Sequence, residues 1–289
     1  MLNIGKLAKA FVIIVLGLIV LTTFAIYTVV GMTIHDQAFF SSLVLHCSIP
    51  AVKEFDIEPV SGIKKQVISI ACSDGSNIYA WYFKKPEAKK LVIVNHGAGG
   101  DIRFRVHIAQ AAIDAGYSVL LYDYRGYALS TGERTLDSIM EDGLTVYDYC
   151  RKHLKYPAEN IVVYGESIGS AVTCHVAENR KIAKIILQSG VTTLPEVGRF
   201  IFPWLNIYPD FTFPKTQIDN VKSLKEIHVP VLFIHGLLDA QVPSSGSKKM
   251  FAAANEPKEL ILLPGSGHDD VGRKDAQQYS SAIKTFLQK

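Results

Sequence analysis

The chain has 289 residues, 48% of them hydrophobic and 20% charged, with a formal net charge of +3. So small a charge, with no Lys/Arg-rich run, gives no basis for a nucleic-acid partner. The composition also excludes disordered, collagen-like and disulfide-scaffold classes. Part of the hydrophobic excess sits in one block: residues 10–34 are 25 positions without a charge, 19 of them apolar. The rest of the chain is roughly 45% hydrophobic, an ordinary globular value.

As a helix this block is about 37 Å long, enough to cross a hydrocarbon core of roughly 30 Å with some tilt. Lys6 and Lys9 precede it, whereas Asp36 and then Lys53, Glu54, Asp56 and Glu58 follow. The positive-inside tendency therefore predicts a cytoplasmic tail (1–9), a membrane-spanning segment (10–34), and a globular domain on the periplasmic, luminal or extracellular side. A cleaved signal peptide has a shorter apolar region ending in a small-x-small site, and Val29-Val30-Gly31 is a poor version of one, so an uncleaved signal anchor is expected. A linker over 35–50 then leads to one domain over 51–289. Cys47, Cys72, Cys150 and Cys174 show no paired spacing and no C-x-x-C, so neither a zinc site nor a redox motif is indicated.

Within the domain, segments 66–72 and 78–83 read as strands joined by a turn at Ser73-Asp74-Gly75. Short apolar runs follow at 91–95, 118–122, 161–164, 184–187, 231–234 and 260–263. Helix-length spacers separate many of them, with helical patterns at 103–115, 136–154 and 170–178. Such alternation predicts an α/β fold, a mostly parallel sheet covered on both faces, with the first two strands as an antiparallel edge.

The sharpest chemical signal is Gly165-Glu166-Ser167-Ile168-Gly169, which the apolar strand 161–164 enters directly and a helix leaves. A sharp strand-to-helix turn crowds its own backbone, so glycines flank a serine that projects from the top of the sheet. That serine needs a positioned base, itself oriented by a third group. Of nine histidines, His268 follows the last strand signal on a Gly-rich loop, at the sheet end where active sites of open parallel sheets collect. His96 and His235 also end strands, but each precedes glycine and fits a structural or loop-ordering role. His107, His153 and His175 fall in helical stretches. For the acid, Asp239 lies just past strand 231–234 and is preferred to Asp123, Asp269 and Asp270. One helix and one strand separate it from His268, so neighbouring strands can present both groups. The oxyanion of acyl transfer needs two N–H donors. The Ile168 N–H is one, and the loop His96–Gly100 offers Ala98, then Gly99, as the second. That loop is no dinucleotide fingerprint, since Ile102 stands where glycine is required, and no H-E-x-x-H occurs. Segment 192–227 falls between two predicted strands, an insertion position expected in such a fold to lie over the nucleophile, and holds Phe200, Phe202, Trp204, Tyr208, Phe211 and Phe213, which either line an apolar pocket or pack a small cap onto the body.

The motifs 96–100, Tyr122-Asp123-Tyr124-Arg125-Gly126-Tyr127, 165–169, 235–243 and Gly267-His268 resemble those of the α/β-hydrolase superfamily. They are most similar to its single-pass, membrane-anchored serine hydrolases with serine-aminopeptidase-like domains. The chain order Ser, Asp, His is the one expected there. The resemblance implies an α/β-hydrolase fold with Ser167 as nucleophile, Asp239 as acid, His268 as base, and Ile168 and Ala98 as oxyanion donors. It makes Arg125-Gly126 a scaffold turn. Ala128 departs from the glycine common at that place in the motif, which touches loop geometry and not the triad. The expected activity is cleavage of an ester or thioester of a small or lipid-like acyl substrate at a membrane, with no metal or organic cofactor. A serine peptidase on the same triad and a catalytically silent membrane scaffold are the alternatives.

Overall fold

The structure is a computed structural model and describes residues 4–36, 45, 59–214 and 218–289. Most of the expected 35–50 linker, with Cys47 and the first residues of the domain at 51–58, lies outside the described residues. The chain begins with one long helix, α1 (Ile4–His35). Its stretch Phe11–His35 is long and apolar enough to cross a membrane and is almost entirely uncovered by the rest of the protein.

Eight strands follow: β1 (Gln66–Ala71), β2 (Asn77–Phe83), β3 (Leu91–Asn95), β4 (Ser118–Tyr122), β5 (Ile161–Glu166), β6 (Lys184–Gln188), β7 (Val231–Gly236) and β8 (Lys258–Leu263). They form one sheet in the order β1-β2-β4-β3-β5-β6-β7-β8. Pairing is antiparallel between β1 and β2 and between β2 and β4, and parallel from β4 onward. Among the described residues the α-helices that follow β1 are α2 (Val106–Asp114), α3 (Leu136–Lys152), α4 (Gly169–Asn179), α5 (Leu194–Ile201), α6 (Asn220–Glu226), α7 (Ser244–Ala253) and α8 (Ala276–Gln288).

The central strands are apolar on both sides because both sides are covered. Along β3, Leu91 and Ile93 face the core under α3, α4, α6 and α7, whereas Val92 and Val94 face the core under α2 and α8. The helical pattern at 103–115 divides in two: a 3-10 turn over Ile102–Arg105 precedes α2, because the Asp101 carboxylate accepts the Arg103 N–H (2.9 Å) and caps the turn. Between β6 and α6 the chain leaves the sheet as a small cap of α5 and two 3-10 turns. Its ends meet in an isolated bridge between Thr193 and Asp219. Asn220 ties this base down, its Nδ2 donating to the Val191 carbonyl (2.7 Å) and to Ser170 Oγ (3.1 Å).

Arg125 is the scaffold turn that the motif implies. Its guanidinium donates to Asp142 (2.6 Å), Asp74 (2.7 Å) and the Ser138 carbonyl (3.1 Å), joining three segments. Ala128, three residues on, has φ +44°. A β-carbon costs about 1–2 kcal/mol in that left-handed region, and glycine gives back about 0.5–1 kcal/mol in chain entropy. Ala128→Gly is therefore expected to raise stability by about 0.5–1 kcal/mol, or roughly 1–4 °C in thermal midpoint. An unchanged or lower midpoint in thermal unfolding would contradict this account.

Candidate active site

Ser167 sits between the end of β5 and the start of α4 with φ +53°, a left-handed backbone that a non-glycine residue adopts only when its surroundings enforce it. They do so here by close approach. A β-carbon on Gly165 would lie 2.4 Å from the Gly169 carbonyl oxygen, and one on Gly169 would lie 2.1 Å from the Asn95 carbonyl oxygen. The Ser167 N–H donates to the Gln188 carbonyl at the end of β6 (2.9 Å), which fixes the turn to the neighbouring strand.

His268 reaches this serine from the loop after β8. Its Nε2 accepts from Ser167 Oγ at 3.1 Å, and its Nδ1 donates to Asp239 Oδ2 at 2.7 Å. β7 and β8 are adjacent and parallel, so the loops at their ends deliver Asp239 and His268 side by side. Asp239 is further held by the backbone N–H groups of Gln241 (2.9 Å) and Val242 (2.8 Å) on Oδ1. Burial works against the charged imidazole of His268, but the hydrogen bond and charge of Asp239 outweigh it and raise the His268 pKa above its usual 6.5. Burial also opposes the Asp239 carboxylate, yet the hydrogen bonds from His235 and His268 hold its pKa well below the usual carboxylate range.

His235 has a structural role that extends to the acid. Fully buried at the end of β7, it accepts from Ser247 Oγ on Nδ1 (2.7 Å), and its Nε2–H lies 3.1 Å from both the Val242 carbonyl and Asp239 Oδ2. Asp239 Oδ2 thus receives two imidazoles. The signal in the sequence is the H-x-x-x-D spacing across the strand-ending turn.

The other acids and histidines are engaged elsewhere. Asp123 accepts from the Ile102 N–H (3.0 Å) and faces His96 Nε2 at 3.5 Å. Burial raises the Asp123 carboxyl to about 7 and lowers His96 to about 3, working against charge on either member of this inner pair. Asp269 accepts from Gln241 Nε2 (2.8 Å), and Asp270 accepts from the Gly267 N–H (2.6 Å).

The support beneath the 96–100 loop leaves no mark in the sequence. Arg105, at the end of the 3-10 turn, donates through Nε to Glu166 Oε2 (2.6 Å) and through Nη1 to the Gly99 carbonyl (2.5 Å). The Gly97 N–H donates to the same Glu166 oxygen at 3.3 Å. Burial opposes the Glu166 charge, but Arg105 more than offsets it and holds the carboxyl at about 2. The residue beside the serine is therefore a fixed anion that orders the neighbouring loop. Ala98, in that loop, and Ile168 border the same cavity of about 250 Å³ as Ser167 and His268.

That cavity runs beneath the cap and is mainly aliphatic, with Val191, Leu194, Val197 and Leu205 among its walls. The two expectations for the cap aromatics divide residue by residue. Phe202 lines the cavity, Tyr208 and Phe213 are buried in the core, and Phe200, Trp204 and Phe211 point outward.

A family model described as "Serine aminopeptidase, S33" matches residues 86–225. An uncharacterized protein of Mycobacterium tuberculosis is 32% identical over 222 residues, covering 76% of this chain and 78% of its own. The alpha/beta hydrolase domain-containing protein WAV2 of Arabidopsis thaliana is 26% identical over 272 residues, covering 87% and 88% respectively. Among solved structures, the Pyrococcus furiosus esterase Pf2001 superposes with a TM-score of 0.70 at 19% identity, over 83% of this chain and 96% of its own. The chain belongs to the α/β-hydrolase superfamily.

Two outcomes follow from the site's electrostatics. A His268 that serves as general base accepts a proton only when neutral, so kcat/KM is then expected to fall as pH drops through a pKa above 6.5. Asp239→Asn removes the interactions that raise this pKa and leaves the burial that lowers it. Its residual activity, reduced by about 10⁴-fold, should have its acid limb displaced to lower pH, and a limb at unchanged pH would exclude His268 as the titrating group. Arg105→Met strands the buried Glu166 anion and should cost about 3–5 kcal/mol in denaturant unfolding, whereas a loss under 1 kcal/mol would show that water reaches this pair.

Proposed function

We propose that this chain is a membrane-anchored serine hydrolase that cleaves a carboxylic ester or thioester through an acyl-enzyme. The observation that carries the reading is the unbroken relay from Ser167 Oγ to His268 Nε2 (3.1 Å) and from His268 Nδ1 to Asp239 (2.7 Å), beside an aliphatic cavity. His268 takes the Ser167 proton as Oγ attacks the acyl carbon, and Asp239 stabilises the imidazolium that results. The N–H groups of Ile168 and Ala98 receive the oxyanion, each contributing about 3 kcal/mol at comparable sites. His268 then protonates the leaving group, and in the second half it activates a water that releases the acid and restores Ser167.

The lining favours acyl chains over peptides. An aminopeptidase must bind a substrate ammonium, and among the described residues that line this cavity there is no carboxylate side chain, the nearby Asp239, Glu166 and Asp269 being held by His268, Arg105 and Gln241. The anchor in this reading is α1, which holds the domain over 51–289 beside the membrane on the side opposite the short tail, as the flanking lysines suggest.

The test is fluorophosphonate labelling of the full chain, with folded Ser167→Ala and His268→Ala variants beside it. Labelling is expected in the parent, absent in Ser167→Ala, and reduced by about 10³-fold or more in rate for His268→Ala. A folded parent that takes no label would favour the silent scaffold. Faster turnover of aminoacyl amides than of acyl esters would favour the peptidase.

A further inference from the structure

Residues 200–209 of the cap contain no charged side chain. Phe200, Ile201, Phe202, Trp204 and Ile207 in that stretch, with Phe211 just beyond it, are all exposed, Phe211 by 82% and Ile207 by 64%. Phe200 and Phe211 edge this surface, where they border a groove that also holds Arg199 and Asp210, and an exposed apolar patch with a polar rim marks a surface that is covered in use. Its position relative to α1 indicates by what.

Tyr27 of α1 stacks on Tyr208 of the cap, with ring centroids 4.6 Å apart and planes 6° apart. The Tyr27 hydroxyl donates to the Ile207 carbonyl (3.3 Å), and the Tyr208 hydroxyl donates to the Tyr27 carbonyl (3.2 Å). In a spanning helix that starts after Lys9, about 20 residues at roughly 1.5 Å each fill a hydrocarbon core of about 30 Å. The core therefore ends near Val29, so the cap is fastened to α1 at the level where lipid gives way to water. From Tyr208 the aromatic rings step to Trp204 (6.3 Å) and on to Phe202 (6.3 Å). Phe202 and its neighbour Ile201 line the cavity that Ser167 and His268 border.

We propose that the Trp204 face of the cap rests on the lipid bilayer, so that the mouth of the cavity opens into the membrane. The substrate is then an ester whose acyl chain resides in the bilayer, and the chain enters the cavity past Ile201 and Phe202 without crossing water. The proposal rests on the membrane-anchor and ester-hydrolase reading above. A bilayer fits this face better than a protein partner because the face is continuous with α1, whose own side chains from Phe11 to Ile26 are equally uncovered. Tryptophan and tyrosine at the boundary, with phenylalanine and isoleucine beyond them, is also the distribution that lipid interfaces select.

The molecule carries its own reporter. It has two tryptophans, and Trp81 is buried in β2, so Trp204 is the exposed one and Trp204→Phe supplies the background. The full chain is reconstituted in phosphatidylcholine vesicles, and membrane retention is checked by carbonate extraction. Phosphatidylcholine brominated on its acyl chains is expected to quench the Trp204 emission by about two-fold or more, with protection from aqueous acrylamide. The double variant Ile207→Ser, Phe211→Ser should hydrolyse a vesicle-embedded long-chain ester about ten-fold more slowly, with a soluble short-chain ester unchanged. If the chain resists carbonate but Trp204 is open to acrylamide and untouched by bromolipid, the anchor stands and the docking proposal fails. Emission that instead changes with protein concentration, without bromolipid, assigns the face to a second copy and overturns the proposal. A chain released by carbonate removes the anchor reading and the docking with it, and intact fluorophosphonate labelling in that sample would still leave the hydrolase reading in place.

Discussion

The left-handed backbone of Ser167 is the constraint around which the domain is arranged. A residue at φ +53° relaxes unless neighbours block every other path, and here they come from three strands. β3 presses the Asn95 carbonyl against Gly169, β6 accepts the Ser167 N–H, and β5 with α4 forms the turn itself. The sheet order places β5 between β3 and β6, so these contacts are consequences of topology. The strain of the elbow, of order 1–3 kcal/mol, is carried by the burial of the whole central sheet.

Around that turn the molecule uses buried charge to fix position. Removing an ion from water costs several kcal/mol, so a buried pair contributes little net stability and is better understood as a geometric device. Glu166 and Arg105 are such a pair: each is almost fully buried, and their hydrogen bonds reach Gly97 and Gly99 on either side of Ala98. Arg125 acts likewise with the buried Asp142, and it also reaches Asp74, whose carboxylate is half exposed. In both cases the guanidinium joins segments distant in sequence with directional bonds that apolar packing does not supply.

These distances explain what the sequence could and could not disclose. Strands such as Leu91–Asn95 and Ser118–Tyr122 were legible because a strand covered on both faces is an uninterrupted apolar run bounded by polar turns. Ser167 was legible because its pentapeptide is fused to such a run, and Asp239 and His268 because they close the last two strands. Arg105 and Glu166, 61 positions apart, carry no local mark of their pairing. Nor do Tyr27 and Tyr208, which belong to segments that look unrelated until folded. The cap was only half legible: its aromatic richness is plain, but whether each ring turns inward depends on packing that periodicity does not encode through Pro203 and Pro209.

The closed base of the cap has a consequence for how the protein can change over evolutionary time. Because Thr193 and Asp219 meet directly, the intervening chain is a loop already shut at its root. Lengthening such a loop adds only about 0.6 kcal/mol of closure entropy per doubling, and the sheet beneath keeps its register whatever the loop contains. Selection can therefore rewrite the roof of the cavity while the serine, histidine and aspartate stay where the strands put them. The roof of the cavity is free to drift in this architecture, whereas the placement of Ser167, Asp239 and His268 is not.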